Sequence, residues 1–228
     1  MKTIGLIGGM SWQSTAHYYR ILNEETARRL GGLHSAPVIV DSLDFAPVAA
    51  LQAEGRWDDA GAMLHKSAAR LVAAGAEVFG LATNTMHIAA DAMVAGIDAR
   101  FVHIAEPTAQ ALLADGYETV GLLGTRFTME MGFYREHLTK SGLNALVPEV
   151  DRTNLDGIIY QELCRGIVRE ESRRIYVDAI SRLAARGAEA VILGCTEIGM
   201  LIDDSSSPLP CYDTTELHAK ALVSVALE

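Results

Sequence analysis

Two stretches of this chain repeat each other, and that repeat restricts the possible folds more than any other feature of the sequence. Residues 3–12 read TIGLIGGMSW, and residues 119–128, which lie 116 positions later, read TVGLLGTRFT. A second set of matches, each at an offset of 112, pairs Gly75 with Gly187, Glu77 with Glu189, and Thr83 with Cys195. Solenoid repeats recur about every 20–50 residues, whereas two similar offsets in the same order indicate a duplicated lobe. The chain is therefore predicted to contain two similar lobes.

Short runs rich in β-branched residues alternate with longer, alanine-rich stretches in both lobes. Buried strands that alternate with helices of about 10–15 residues are typical of βαβ units and of a parallel sheet. We therefore predict an α/β fold of two similar parallel-sheet lobes related by pseudo-twofold symmetry, with the active site in the cleft between them. The helix end VAGIDAR and the polar segment DDSSSPLP are the candidate linkers. They predict a first lobe of residues 1–97 plus 208–228 and a second lobe of residues 98–207.

The charge and the cysteine content exclude several classes of function. The 228 residues include 19 basic and 29 acidic side chains, and no basic cluster could neutralise a run of phosphates, so nucleic acid and anionic membranes are not expected partners. No apolar run approaches the roughly 18 residues of a membrane span. The N-terminus is typical of a first strand rather than of a signal peptide. Three irregularly spaced cysteines argue against a disulfide framework or a metal site and favour a cytoplasmic location.

Thr83 and Cys195 are the candidate reactive residues, since both follow a predicted strand at matching positions of the repeat. Ligands of open α/β sheets bind beyond the carboxyl ends of the strands, so we expect these two side chains to face each other across the cleft. A helix is predicted to begin at Cys195, where its positive end would lower the pKa of the thiol. The alternative is a small apolar cysteine at a tight turn. The neighbouring Gly194, Thr196 and Glu197 favour the functional interpretation, with Glu197 as a carboxylate that governs protonation.

The segment Thr83-Asn84-Thr85 has two interpretations. Side chains of this type cap helices, and the simpler interpretation is a cap alone. The functional interpretation is a carboxylate cradle in which Asn84 and Thr85 donate hydrogen bonds, joined by Thr125 and Thr196 from the second lobe. Thr83 itself cannot be a strong base, because a hydroxyl lacks the accessible anionic state that makes cysteine reactive.

Several other positions have competing interpretations. The glycine-rich turn GLIGGMS lacks the spacing of a dinucleotide site, and we expect it to let Met10 and Ser11 line the cleft. Gln52 either reaches the substrate or lies in a solvated loop. His87 is expected to cap or to pack, and Cys164 and Cys211 are expected to be structural.

Three segments, KTIGLIGGMSWQST, NTMH and RGAEAVILGCTEI, resemble the aspartate/glutamate racemase family of cofactor-independent racemases, and the resemblance covers essentially the whole chain. The pattern is most similar to the enterobacterial broad-spectrum amino-acid racemases. Members of the family have two lobes, are usually homodimers, and use two cysteines on opposite faces of the substrate α-carbon, without pyridoxal phosphate or metal. One thiolate removes the α-proton and the other thiol returns a proton, while backbone and hydroxyl donors stabilise the carbanion.

The resemblance also implies roles for individual residues of this chain. The implied acid/base pair is Thr83 and Cys195. The implied substrate-binding residues are Met10, Gln52, Asn84, Thr85, Thr125 and Thr196, and Glu197 is added to this set from the GCTE motif. The expected partner is a small amino-acid substrate and a second copy of the chain, and no cofactor or metal is expected.

Two departures from the family pattern affect the expected substrate. Thr83 stands where the first-lobe cysteine is expected, which predicts an asymmetric enzyme. Aspartate-specific members tend to have an arginine and a lysine for the side-chain carboxylate, but here the two regions read DFAPVAALQ and IYQELCRG, with Cys164 at the lysine position. We predict a racemase of aspartate, glutamate or a small polar relative such as homoserine, broad specificity included. The alternatives are a single-cysteine isomerase or decarboxylase on the same scaffold, and an amino-acid-binding homologue without activity.

Overall fold

The computed structural model describes residues 1–228, and the chain divides into two compact units. The first unit comprises Met1–Ile104 with His218–Glu228, and the second comprises Ala105–Leu217. None of the helices is both long enough and apolar enough to cross a membrane.

The first unit is built on a four-stranded parallel sheet in the order β2-β1-β3-β4. Its strands are β1 (Ile4–Gly8), β2 (Val38–Ser42), β3 (Val78–Leu81) and β4 (Arg100–Val102). Its helices are α1 (Trp12–Leu30), α2 (Phe45–Glu54), α3 (Trp57–Ala73) and α4 (Ala90–Val94), and a 3-10 helix at Thr85–Ala89 precedes α4. The central strands β1 and β3 are buried along their whole length, as expected for parallel strands that are covered on both faces.

Two residues give the turn between β1 and α1 its shape. Gly9 has a φ of +90°, and a Cβ at this position would lie 2.0 Å from the carbonyl oxygen of Leu43, so a side chain cannot fit. Ser11 caps α1 by accepting a hydrogen bond from the backbone N–H of Ser14 at 3.3 Å. Met10 is buried between these two residues.

The second unit is built on a parallel sheet in the order β6-β5-β7-β8. Its strands are β5 (Thr119–Gly124), β6 (Asn144–Leu146), β7 (Ala190–Gly194) and β8 (Cys211–Asp213). The helices are α5 (Ala105–Ala114), α6 (Arg126–Glu130), α7 (Phe133–Lys140), α8 (Arg152–Gln161), α9 (Glu170–Ala185) and α10 (Thr214–Leu227), with 3-10 helices at Leu163–Arg165 and Ile198–Met200. The part of α10 from His218 onward belongs to the first unit.

The two sheets have the same strand order, which is the structural counterpart of the sequence repeat. In each, the first strand of the unit pairs with the second on one side and with the third on the other, and the fourth strand adds at the edge. The predicted α/β fold with two similar parallel-sheet lobes is therefore confirmed.

The observed division of the chain differs from the predicted bounds at both linkers. Strand β4 lies after residue 97 but pairs with β3 in the first sheet. Strand β8 lies after the DDSSSPLP segment but pairs with β7 in the second sheet, so residues 208–217 do not belong to the first unit. Each of these edge strands is joined to its sheet by hydrogen bonds to a strand that is distant in sequence, and linker composition carries no information about that partner.

Candidate active site

Thr83 lies just beyond the end of β3, on a turn whose backbone is held on both sides. The N–H of Thr83 donates to the carbonyl oxygen of Leu81 at 2.8 Å. The carbonyl oxygen of Thr83 accepts a hydrogen bond from Nδ1 of His87, also at 2.8 Å. The side chain is 8% exposed, and its hydroxyl makes no hydrogen bond to the rest of the protein. The direction of this hydroxyl therefore depends on the backbone of Thr83.

The segment after Thr83 does not cap an α-helix. A 3-10 helix begins at Thr85, and the side chain of Asn84, which occupies the cap position, makes no capping hydrogen bond. The interpretation of Thr83-Asn84-Thr85 as a cap alone is therefore wrong. Asn84 and Thr85 are both buried, and buried polar groups beside a strand end are typical of a small-ligand site.

Gln52 and Met10 are buried in the same unit as Thr83. Gln52 belongs to α2 rather than to a solvated loop, and its Nε2 donates to Sδ of Met86 at 3.0 Å. Met86 lies in the 3-10 helix that follows Thr83, and it shares a hydrophobic core cluster with Met10. These contacts tie both residues to the turn that carries Thr83. We define the first half-site as Met10, Gln52, Thr83, Asn84 and Thr85.

Cys195 lies directly after β7, and its thiol is hydrogen-bonded to a buried carboxylate. Sγ of Cys195 donates to Oε2 of Glu197 at 3.0 Å, and Oγ1 of Thr196 donates to the same oxygen at 2.7 Å. The preceding Gly194 is required here, because a Cβ would lie 2.6 Å from the carbonyl oxygen of Leu123. We define the second half-site as Thr125, Cys195, Thr196 and Glu197, all of which are buried.

The environment of Cys195 stabilises the thiol rather than the thiolate. The helix predicted to begin at this residue is only the three-residue 3-10 helix Ile198–Met200, so the predicted dipole effect is wrong. Burial raises the pKa of Cys195 well above its ordinary value, and the charges of Glu197 and Cys164 raise it further. Glu197 is also the acceptor that is placed to receive the thiol proton.

Two further side chains of the second unit lie within electrostatic range of Cys195. Burial, followed by the charge of Cys195, raises the pKa of Tyr160. Burial, followed by the charges of Glu197 and Asp156, raises the pKa of Cys164, which lies in the 3-10 helix Leu163–Arg165. The largest influences on the pKa of Cys195 are burial and the charges of Glu197 and Cys164, and each of them raises it.

Thr125 acts as a helix cap, and its role as a substrate donor stays a prediction. Its Oγ1 accepts a hydrogen bond from the backbone N–H of Thr128 at 3.3 Å and lies 3.2 Å from the Thr128 hydroxyl. The next backbone N–H, that of Arg126, already donates to Oδ1 of Asp156 at 2.7 Å. The loop after β5 is thus held in place by its own polar contacts.

Two α/β units of the same strand order, each with a candidate acid/base side chain buried after its third strand, define a class of duplicated α/β enzymes. The Asp/Glu/hydantoin racemase family model matches residues 7–222. The chain belongs to this family.

Solved structures support the same assignment. A candidate Asp/Glu racemase from Yersinia pestis is 46% identical over the whole of both chains, with a TM-score of 0.92. An aspartate racemase homologue from Pyrococcus horikoshii OT3 is 31% identical, again over the whole of both chains, with a TM-score of 0.86. The aspartate racemase of Picrophilus torridus shares the fold at 21% identity, with a TM-score of 0.78 over 99% of this chain and 94% of its own.

These comparisons confirm the predicted family, and with it an amino-acid racemase, and the Yersinia structure fits the predicted enterobacterial branch. The roles of individual residues, the substrate, the homodimer and the cytoplasmic location stay predictions. The sequence predicted Glu197 as a carboxylate that governs protonation, but the individual hydrogen bonds of Cys195 to Glu197 and of Thr83 to His87 were not predicted. Their only signals in the sequence are the short spacings, four residues to His87 and two to Glu197.

Proposed function

We propose that the chain is a cofactor-independent amino-acid racemase in which Cys195 and Thr83 exchange protons with opposite faces of the substrate α-carbon. The observation that carries the proposal is the buried Cys195 thiol, hydrogen-bonded to Glu197 at the carboxyl end of β7. Membership of the racemase family supports the reaction class. The proposal requires both side chains to reach the same α-carbon, as the family resemblance implies.

Cys195 is the more effective base of the pair, because a thiol has an accessible anionic form. Because burial raises its pKa, the thiol is protonated near neutral pH and must lose its proton before it can act. Oε2 of Glu197, 3.0 Å from Sγ, is placed to accept that proton. The thiolate then removes the α-proton of one enantiomer and becomes a thiol again, while the electron pair left on the α-carbon delocalises into the substrate carboxylate.

Donors around the substrate carboxylate have to stabilise the charge that develops there. Preorganised hydroxyl, amide and backbone donors in a buried site supply this kind of stabilisation without solvent reorganisation. We infer that Asn84 and Thr85 of the first half-site and Thr125 and Thr196 of the second provide them.

Thr83 completes the reaction by protonating the α-carbon on the other face. The hydroxyl proton moves to the carbanion, and the resulting alkoxide regains a proton from solvent. Glu197 releases to solvent the proton that it took from Cys195, which restores the starting state. In the opposite direction Thr83 would have to act as the base, and a hydroxyl has no readily accessible anionic form. The equilibrium constant is unaffected, but the two enantiomers are deprotonated at different rates.

The side chain of the substrate is expected to be small, polar and uncharged. The two regions in which aspartate-specific members carry an arginine and a lysine for the side-chain carboxylate read DFAPVAALQ and IYQELCRG here, with Cys164 at the lysine position. An unpaired carboxylate would be buried at a high cost in free energy. We therefore infer a preference for substrates such as homoserine, with aspartate and glutamate as the alternatives.

We expect α-hydrogen exchange in heavy water to be fast from one enantiomer and slow from the other. The reason is that Cys195 deprotonates one face and Thr83 the other. The measurement is a screen of L- and D-amino acids by mass spectrometry without added cofactor. Equal initial exchange rates from both enantiomers would contradict the asymmetric roles, and exchange from no amino acid would contradict the racemase function.

Replacing Thr83 with cysteine is expected to accelerate the slow direction, which is α-hydrogen exchange from the enantiomer that Thr83 deprotonates. The gain should be at least about tenfold, because a thiol has an accessible anionic form and a hydroxyl does not. The fast direction should change less, since Cys195 remains its base. Initial rates of α-hydrogen exchange in heavy water from each pure enantiomer, followed by mass spectrometry, measure both effects. Thr83→Ser is the matched control, because it keeps a hydroxyl and should leave the slow direction slow.

A single-cysteine isomerase or decarboxylase is the second candidate function. The observation that favours it is the presence of only one thiol, Cys195, among the residues of the two half-sites. Such an enzyme would form a covalent bond between Sγ of Cys195 and an unsaturated substrate, or would protonate a carbanion formed by loss of carbon dioxide. Intact-mass analysis with maleate, and carbon dioxide release from substituted malonates, distinguish these activities from racemisation.

A further inference from the structure

His87 is a buried histidine that the proposed mechanism does not use. It lies in the 3-10 helix after Thr83 and is 3% exposed. Its Nδ1 lies 2.8 Å from the carbonyl oxygen of Thr83, and its Nε2 lies 3.2 Å from the backbone nitrogen of Ile104. Because a carbonyl only accepts and a backbone N–H only donates, the ring has its proton on Nδ1 and a lone pair on Nε2.

The surroundings of His87 keep the ring neutral and in place. Its centroid lies 4.5 Å from that of His103, 5.7 Å from that of Phe101 and 6.2 Å from that of His218. Burial, followed by the charges that His103 and His218 would carry, lowers the pKa of His87 well below its ordinary value. The Nδ1–H tautomer is therefore the form that holds Thr83 near neutral pH.

His218, on α10, belongs to the cluster of rings formed by His87, Phe101, His103 and His218. Unlike His87, it has its ring proton on Nε2. The Tyr18 hydroxyl lies 2.8 Å from its Nδ1, and its Nε2 donates to the carbonyl oxygen of Val102 at 2.8 Å. Burial lowers the pKa of His218 to about 4, so this ring is also neutral. The ring packs against β3, where a Cβ at Gly80 would lie only 2.9 Å from Cε1. The strand that leads to Thr83 is thus held close to the same cluster.

We propose that His87 is a positioning residue that directs the Thr83 hydroxyl for proton transfer, an inference that rests on the proposed function. The backbone of Thr83 is bonded to Leu81 and His87, whereas its hydroxyl has no partner in the protein, so the hydroxyl is placed through the backbone alone. A displacement of about 1 Å at a reacting group can lower a rate about 10²-fold. Loss of the His87 bond therefore impairs the Thr83 step, while Cys195 keeps its own supports.

Two replacements of His87 are each expected to keep one of its two hydrogen bonds, either the one to Thr83 or the one from Ile104. In His87→Asn the amide nitrogen takes the place of Nδ1 and donates to Thr83, but the acceptor for Ile104 is lost. In His87→Gln the longer side chain presents an acceptor to Ile104, but the donor to Thr83 is lost. We expect the glutamine variant to lose about 10²-fold in the rate of inversion and the asparagine variant to lose less than about tenfold.

The readout that separates positioning from folding is the exchange that Cys195 catalyses without inversion. In heavy water, His87→Gln should still exchange the α-hydrogen of the enantiomer that Cys195 deprotonates, at close to the wild-type rate, while inversion is lost. Tyr18→Phe is the control, because it removes the buried hydrogen bond to Nδ1 of His218 and leaves in place the hydrogen bonds that His87 makes to Thr83 and Ile104. Thermal unfolding of each variant shows how much stability each hydrogen bond contributes.

The outcomes are distinct. Equal losses of inversion in the asparagine and glutamine variants, or a parallel loss of exchange and inversion in His87→Gln, would show that His87 only supports the fold. Thr83→Ala in the same assay tests the proposed function itself. Inversion that survives Thr83→Ala would remove the role of Thr83, whereas inversion lost in Thr83→Ala but kept in His87→Gln would overturn only the positioning role.

Discussion

Replacing Cys195 with serine is expected to abolish racemisation in both directions, with a loss of at least about 10³-fold in kcat. Cys195 is the only residue of the two half-sites with an accessible anionic sulfur, and serine keeps the approximate size of the group but has no accessible anionic form. A loss of about 10³-fold corresponds to about 4 kcal/mol of additional barrier. Racemisation rates from each enantiomer, together with α-hydrogen exchange in heavy water, measure this effect.

Cys211→Ser is the matched control for this experiment. Cys211 lies in β8 of the same unit, is partly buried, and has its thiol 3.7 Å from the carbonyl oxygen of Leu209. Its replacement should leave both rates close to those of the wild type. Substantial racemisation by Cys195→Ser would mean that the catalytic base lies elsewhere in the chain.

Replacing Glu197 with glutamine is expected to lower kcat by about 10²- to 10³-fold, which lies within the range of about 10²- to 10⁴-fold that general acid–base groups contribute. The thiol of Cys195 and the hydroxyl of Thr196 both donate to Oε2 of Glu197, and glutamine can offer an acceptor oxygen but cannot take up a proton. Steady-state kinetics from each enantiomer separate this role from substrate binding. An effect confined to KM would assign Glu197 to binding and would remove it from proton transfer.

The pKa of Cys195 provides an independent measurement on the same variant. The charge of Glu197 raises that pKa, so its removal should lower the pKa even though activity falls, while burial continues to favour the thiol. The rate of alkylation against pH, in a chain with Cys164 and Cys211 replaced by serine, reports the change. Glu189→Gln is the control, because Glu189 accepts hydrogen bonds near the amino end of β7 and should affect neither property.

Much of the fold was predictable because its signals are local. Alternation of buried strands with amphipathic helices is set by side-chain types over short stretches of sequence. The similarity between the β1 and β5 segments added independent support for a second lobe of the same kind. The edges of the sheets were not predictable in this way. A linker-like segment precedes each of β4 and β8, and only hydrogen bonding to β3 and β7 shows to which sheet these strands belong.

In the candidate site, too, local sequence signals predicted the positions of residues but not their environments. The positions of Thr83 and Cys195 after their strands followed from the repeat, and both were found there. The state of the Cys195 thiol was not predictable. An α-helix at this position would have lowered its pKa, whereas a 3-10 helix, burial and the Glu197 carboxylate raise it.

The sequence by itself determined that this chain is a duplicated α/β protein of a racemase family, with a threonine and a cysteine at equivalent strand ends. Those properties follow from residue order and short-range periodicity, which a single chain displays directly. Only the tertiary structure decided which strands complete each sheet, that Glu197 accepts the bond of the Cys195 thiol, and that His87 holds the backbone of Thr83. These depend on burial and hydrogen-bond geometry, which arise from the packing of the whole unit around each side chain.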